Sequence, residues 1–81
     1  MKAFVAVKVG TAEHLGLIKT VKEEIAKIPG MVNVFTVFGR YDLIVEVEVK
    51  SLSELARLID DKIRAITGVV ATETFISYEI E

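Results

Sequence analysis

The stretch VNVFTVFGRYDLIVEVEV, residues 32–49, holds two apolar-rich runs with a single break, Gly39-Arg40-Tyr41-Asp42. Valine, isoleucine and phenylalanine dominate both runs, as suits a pleated surface. The break is too short for anything but a hairpin connection. Residues 32–38 and 43–49 are therefore expected to be neighbouring antiparallel strands. Glycine and aspartate are ordinary turn residues. A cation and a phenol beside them raise the question of whether the turn also binds something.

Working outward, AFVAVKV at 3–9 alternates Ala3, Val5, Val7 and Val9 against Phe4, Ala6 and Lys8, the period of a strand. Thr11 is placed to cap a helix whose apolar positions are Leu15, Ile18, Val21, Ile25 and Ile28. Lys19, Lys22, Glu23 and Lys27 fall off that stripe, and Pro29-Gly30 ends the helix. Ser51-Leu52-Ser53-Glu54 has the form of a capping box, in which hydroxyl and carboxylate satisfy each other's orphan amides. Leu55, Leu58, Ile59, Ile63 and Ile66 then mark a second amphipathic helix, with Asp60 and Arg64 as a solvent-side i,i+4 pair and Gly68 as its stop. VVATETFISYEI, 69–80, reads as a fourth strand that extends past its neighbours.

The element order is β-α-β-β-α-β, and its halves echo each other. IPGMV at 28–32 and ITGVV at 66–70 share a pattern at one fixed offset, which also relates Val21 to Ile59 and Ile25 to Ile63. A duplicated βαβ half is the plan of the ferredoxin-like α+β fold, a four-stranded antiparallel sheet. Right-handed crossovers put both helices on one face of that sheet. Val5, Val7, Val32, Val34, Leu43, Val45, Val47, Val70 and Ile76 are expected on the helix side. Phe4, Ala6, Phe35, Val37, Ile44 and Phe75 are expected on the other face, mixed with Glu46, Glu48 and Glu73. Three phenylalanines on a face that no helix covers form a large apolar patch in a lone subunit. Either one or two of them tuck under a loop, or, as the favoured reading, two sheets pack face to face in a two-fold dimer, giving an α/β barrel. Phe4, Phe35, Val37, Ile44 and Phe75 are its expected interface.

At 81 residues the chain is one domain, 1–81, and an apolar content of 52% is generous for so small a subunit. Ten basic residues against twelve acidic ones give a net charge of −2, which provides no field for a phosphate backbone, so direct nucleic-acid binding is not expected. Without cysteine, and with His14 as the one histidine, neither thiolate nor all-histidine metal sites can form within the chain. No metal, cofactor or catalytic residue is expected. The first residues lack a signal-peptide pattern and no run reaches membrane-spanning length, so the expected location is the cytoplasm, with no membrane partner.

IPGMVNVFTVFGRYDLIVEVEV followed by ITGVVATETFISYEI resembles the effector (RAM) domain of the leucine-responsive/asparagine-regulator (Lrp/AsnC) transcription factors. The resemblance rests on Ile28-Pro29-Gly30, on Gly39-Arg40-Tyr41-Asp42, and on Gly68-Val69 followed by Thr72-Glu73-Thr74. Full-length members carry an N-terminal helix-turn-helix domain. This sequence opens directly on the first strand, so a stand-alone RAM protein is expected. The resemblance implies sheet-to-sheet dimers, assembly into rings such as octamers, and a free amino acid bound between dimers. It also suggests a DNA-binding paralogue as a partner in regulating amino-acid metabolism.

An amino acid presents a cation and an anion two bonds apart. Its receptor needs a carboxylate for one and amides or a base for the other. The turn offers both: Asp42 as acceptor, and the amides beside Gly39, where no Cβ blocks approach. Thr72 and Thr74 share one side of the last strand and offer hydroxyls. By resemblance Gly39, Arg40, Tyr41, Asp42, Thr72 and Thr74 are the pocket-forming positions. Each keeps a second reading: Gly39 and Asp42 as ordinary turn residues, Thr72 and Thr74 as ordinary strand residues, Arg40 as a solvated turn residue, and Tyr41 as a subunit contact rather than a pocket wall. His14, Glu46, Glu48 and Asp60-Asp61 read as surface or interface groups. Two other classes share the architecture. A dimeric α+β barrel enzyme, such as a small monooxygenase or isomerase, needs a buried acid/base or haem ligand. An ACT-type regulatory module pairs its subunits side by side, which the phenylalanine-bearing face argues against.

Overall fold

The computed structural model describes residues 1–10 and 15–80. The expectations for Thr11 and His14, and for the side chain of Leu15, lie outside the described residues. Four strands, β1 (Lys2–Val9), β2 (Met31–Thr36), β3 (Leu43–Glu48) and β4 (Val69–Ile76), form one sheet in the order β2-β3-β1-β4. All neighbouring strands are antiparallel. Helix α1 (Leu15–Ala26) separates β1 from β2. Helix α2 (Leu52–Arg57) runs on into a π-helical stretch, Leu58–Ile63, before β4. This is the ferredoxin-like β-α-β-β-α-β order.

One sheet face and both helices make the core. Val5 pairs with Val45 and Thr74, Val7 with Leu43 and Thr72, and Ala3 with Val47 and Ile76. Ala3, Val5, Val7, Leu43, Val45 and Val47 from the sheet are fully buried, as are Val21, Ile25 and Ile63 from the helical segments. Burying an aliphatic side chain of this kind contributes about 1.5–3 kcal/mol, so this one layer supplies the bulk of the apolar driving force. Of the stripe expected for α1, Ile18, Val21 and Ile25 are buried and Ile28, just past the helix, is partly buried.

Three details depart from the sequence reading. Val32 and Val70, expected in the core, are 50% and 64% exposed. Each is the extra residue of a β-bulge. The register passes from Met31↔Val47 to Asn33↔Glu46 on one outer strand, and from Val9↔Val69 to Lys8↔Ala71 on the other. The bulge shifts the alternation by one residue, so Met31 and Val69 take the helix-side places. The internal repeat extends to this irregularity. Gly30 and Gly68 both have positive φ (93° and 104°), and the Met31 and Val69 amides bond back to the carbonyls of Ile28 and Ile66 at 3.4 and 3.1 Å. Ile76, also expected in the core, points to the helix side but is 44% exposed at the end of its strand.

The second departure is the helix beyond Arg57. The Arg64 amide donates to the Ile59 carbonyl at 2.9 Å, an i→i−5 bond, although residues 52–66 contain no glycine or proline. Asp60 and Arg64 still pair at 3.4 Å on the solvent side. At the start of α2, Ser51 Oγ accepts from the Glu54 amide as expected. The Glu54 carboxylate, however, accepts from the Lys50 amide (3.2 Å), one residue before the cap. Third, β4 ends at Ile76. Only the Ser77 amide still bonds across, to the Lys2 carbonyl at 3.0 Å, and Tyr78 and Ile80 beyond it are exposed.

Candidate functional site

The connection between β2 and β3 is a tethered loop. The Val37 amide donates to the Asp42 carbonyl (3.0 Å), and the Asp42 amide donates to the Val7 carbonyl (2.9 Å). Gly39 has φ 141°, a conformation that L side chains rarely adopt, and nothing lies within 4 Å of where a Cβ would stand. Backbone conformation, not crowding, therefore requires glycine there. Phe38 beside it is fully exposed.

Asp42 is the one buried charged side chain among the described residues, at 8% exposure. Its Oδ2 accepts the Val9 amide at 2.8 Å, and Lys8 Nζ lies 3.5 Å from the same oxygen. The carboxylate thus fastens the end of β1 to the loop, one strand away. Tyr41 ties the loop further still. Its hydroxyl donates to Glu73 Oε1 at 2.7 Å, spanning β1 to reach β4. That hydrogen bond holds the phenol above its ordinary pKa; desolvation and the charge of Glu73 act the same way, and Arg40 opposes them.

Of the six candidate ligand residues, four lie in the loop at one end of the sheet and two, Thr72 and Thr74, lie on β4, and they divide between the faces. Tyr41 reaches Glu73 on the face away from the helices. Thr72 and Thr74, half-buried, stand opposite Val7 and Val5 on the helix side. Three clefts lie beside the helices, and none of the three is lined by these six: one of about 300 Å³ by Ile28, Pro29 and Leu58, one of about 240 Å³ by Met31 and Val34, and one of about 440 Å³ by Ile66 and Thr67.

The helix-free face carries Phe4 opposite Phe75, and Ala6 opposite Ile44, which itself stands opposite Phe35. Phe35 and Phe75 are 47% and 51% exposed, while Phe4 and Ile44 are half-buried. Val37, also half-buried, lies just past the end of β2. Charges around this apolar centre are already matched within the chain. Glu46 accepts from Asn33 Nδ2 at 3.1 Å and lies 3.4 Å from Lys2 Nζ. The Asn33 bond is the main reason its carboxyl sits below the ordinary range, against desolvation and with help from Lys2. No group of three or more histidine, cysteine, aspartate or glutamate side chains suited to a metal ion occurs among the described residues. No helix among them is long and apolar enough to cross a membrane.

Sequence reasoning missed Lys8, Glu73 as the partner of Tyr41, and Phe38. Lys8 had a signal: it is the one charged residue in the alternating run 3–9. The other two had none, because each depends on where the loop lies over the sheet.

A four-stranded sheet with helices on one side, an apolar second face and a tethered loop at its end defines an effector-type α+β domain. The chain belongs to the Lrp/AsnC family: the model of the Lrp/AsnC ligand binding domain matches residues 2–80. An uncharacterised HTH-type transcriptional regulator of Pyrococcus abyssi is 39% identical over 61 residues, 75% of this chain and 41% of the relative. The chain spans about two-fifths of the length of the curated relatives first matched. A crystal structure from Thermus thermophilus superposes with a TM-score of 0.86 at 29% identity, covering 99% of this chain and 95% of that one. AsnC of Escherichia coli superposes at 0.88 and 18% identity, over 98% of this chain and 51% of that one. A shorter match, 41% over 54 residues, is to 12% of a homocitrate synthase of Sulfurisphaera tokodaii.

Proposed function

We propose that this chain is a non-catalytic regulatory module that binds a free amino acid and assembles with copies of itself. The observation that carries the reading is the match of the Lrp/AsnC ligand binding domain to residues 2–80, within a family whose curated relatives are named as transcriptional regulators. In this reading residues 1–81 act as a single ligand-binding and oligomerisation unit. Phe4, Phe35, Val37, Ile44 and Phe75 meet their counterparts across a two-fold axis. The ion pair of Glu46 with Lys2, and the hydrogen bonds that Glu46 accepts from Asn33 and Glu73 from Tyr41, support this, since partnered carboxylates lower the cost of covering the face.

Gly39, Arg40, Tyr41, Asp42, Thr72 and Thr74 then contribute to a cleft completed by a second dimer, in an assembly such as an octamer. The three clefts beside the helices of a single subunit do not involve these six. A ligand bound only in the assembled form favours that form through linkage. A DNA-binding paralogue with the same assembly surface would be regulated by the same shift, with the module working in the cytoplasm. Sedimentation and thermal melting with each of the twenty amino acids test the reading. At least one should raise both mass and melting temperature; no response from any of them overturns it.

A further inference from the structure

Building on the amino-acid-binding reading of the loop, we propose that Lys8 and Asp42 form a clamp for the ligand's zwitterion, Asp42 taking the ammonium and Lys8 the carboxylate. Neither the family match nor the loop motif assigns a role to Lys8, which comes from β1. Three observations carry the assignment. Lys8 Nζ and Asp42 Oδ2 stand 3.5 Å apart, so the pair presents a cation and an anion at close separation. An amino acid laid antiparallel beside them places each of its charges against an opposite one. Oδ2 is occupied by the Val9 amide, but Oδ1 makes no hydrogen bond to any described residue. No buried side-chain polar atom among them lacks a partner, so Oδ1 is not sealed from solvent. The neighbours are small as well: Lys8 stands opposite Ala71, and Gly39 in the adjoining loop carries no Cβ, with nothing within 4 Å of where one would stand.

The electrostatics select a ligand class. A lone buried carboxylate attracts any cation, including amines and metal ions. A Lys-Asp pair is neutral overall and offers little to a simple cation or a simple anion. It favours a compact dipole, and each end of a zwitterion gains a charge-assisted hydrogen bond. Lys8 is thus a specificity residue for the free α-carboxylate, working beside the loop amides.

The test is calorimetric titration of the full chain with an amino acid that stabilises it, with the carboxamide of that amino acid, and with its N-acetyl form, using the natural protein and Lys8→Met. The natural protein should bind the free acid about tenfold more tightly than the carboxamide. Lys8→Met should bind the free acid about tenfold less tightly while binding the carboxamide as the natural protein does, so that the discrimination disappears. The N-acetyl form should lose affinity equally with both proteins. Lys8→Ala serves as a second variant, with circular dichroism to check folding. Unchanged discrimination in both variants overturns the proposal, as does tighter binding of the free acid, which would make Lys8 a competitor for Asp42. If no amino acid binds the natural protein, the reading of the loop fails first and this inference with it.

Discussion

Asp42 holds two jobs that mutation can separate. Through Oδ2 it is the acceptor for the Val9 amide, and through its charge it faces Lys8. Asp42→Ala strands a buried N–H donor, and such a group costs about 1–3 kcal/mol when left unsatisfied. Asp42→Asn keeps an oxygen for the amide and gives up only the partly exposed ion pair, worth at most about 1 kcal/mol. Urea unfolding should therefore rank the natural protein above Asp42→Asn, and Asp42→Asn above Asp42→Ala. Equal losses would show that the charge, not the amide, is what the fold requires. The glycine of this loop was legible in the sequence because a tight connection between strands asks for positive φ. The bond from Asp42 was not, because its partner lies 33 positions away on a strand that is not adjacent in sequence.

At the scale of elements, the two bulges show where alternation stops being a guide. Period two assigned Val32 and Val70 to the core because Val34 and the threonines of β4 share their parity. One extra residue at the start of β2 and of β4 shifts that parity, and no residue type in the sequence marks the place. The strands, their pairing and the buried stripe of α1 were readable, since each repeats a signal over several residues. The π-helical stretch was not, as it depends on a local shift to i→i−5 hydrogen bonds, such as that from Arg64 to Ile59, which no residue type announces. The difference in environment has a measurable consequence. Val32→Thr and Val70→Thr should each change stability by less than about 0.5 kcal/mol. Val45→Thr, at a fully buried position, should cost about 1–3 kcal/mol by placing a hydroxyl where no water reaches. Chemical denaturation of the three variants checks the contrast.

For the whole molecule, the proposed pairing through the helix-free face is the point to test. Phe75 stands opposite Phe4, at the join between the central strand and β4, half exposed in the lone chain. Phe75→Asp puts a charge on that face while leaving the helix-side core untouched. If the face is covered by a second copy, sedimentation of Phe75→Asp should give the mass of one subunit under conditions where the natural protein gives more, with little change in circular dichroism. An unchanged mass would remove this face from the interface.

The bulges at Val32 and Val70 bear on this as well, because they sit on the two outermost strands, one on each flank. A newcomer that tried to extend the hydrogen-bond ladder sideways would meet an interrupted edge on the left and on the right alike, and protein fibres depend on such ladders running unbroken from chain to chain. Lateral growth is discouraged at both margins, which counts against open-ended filaments built edge to edge.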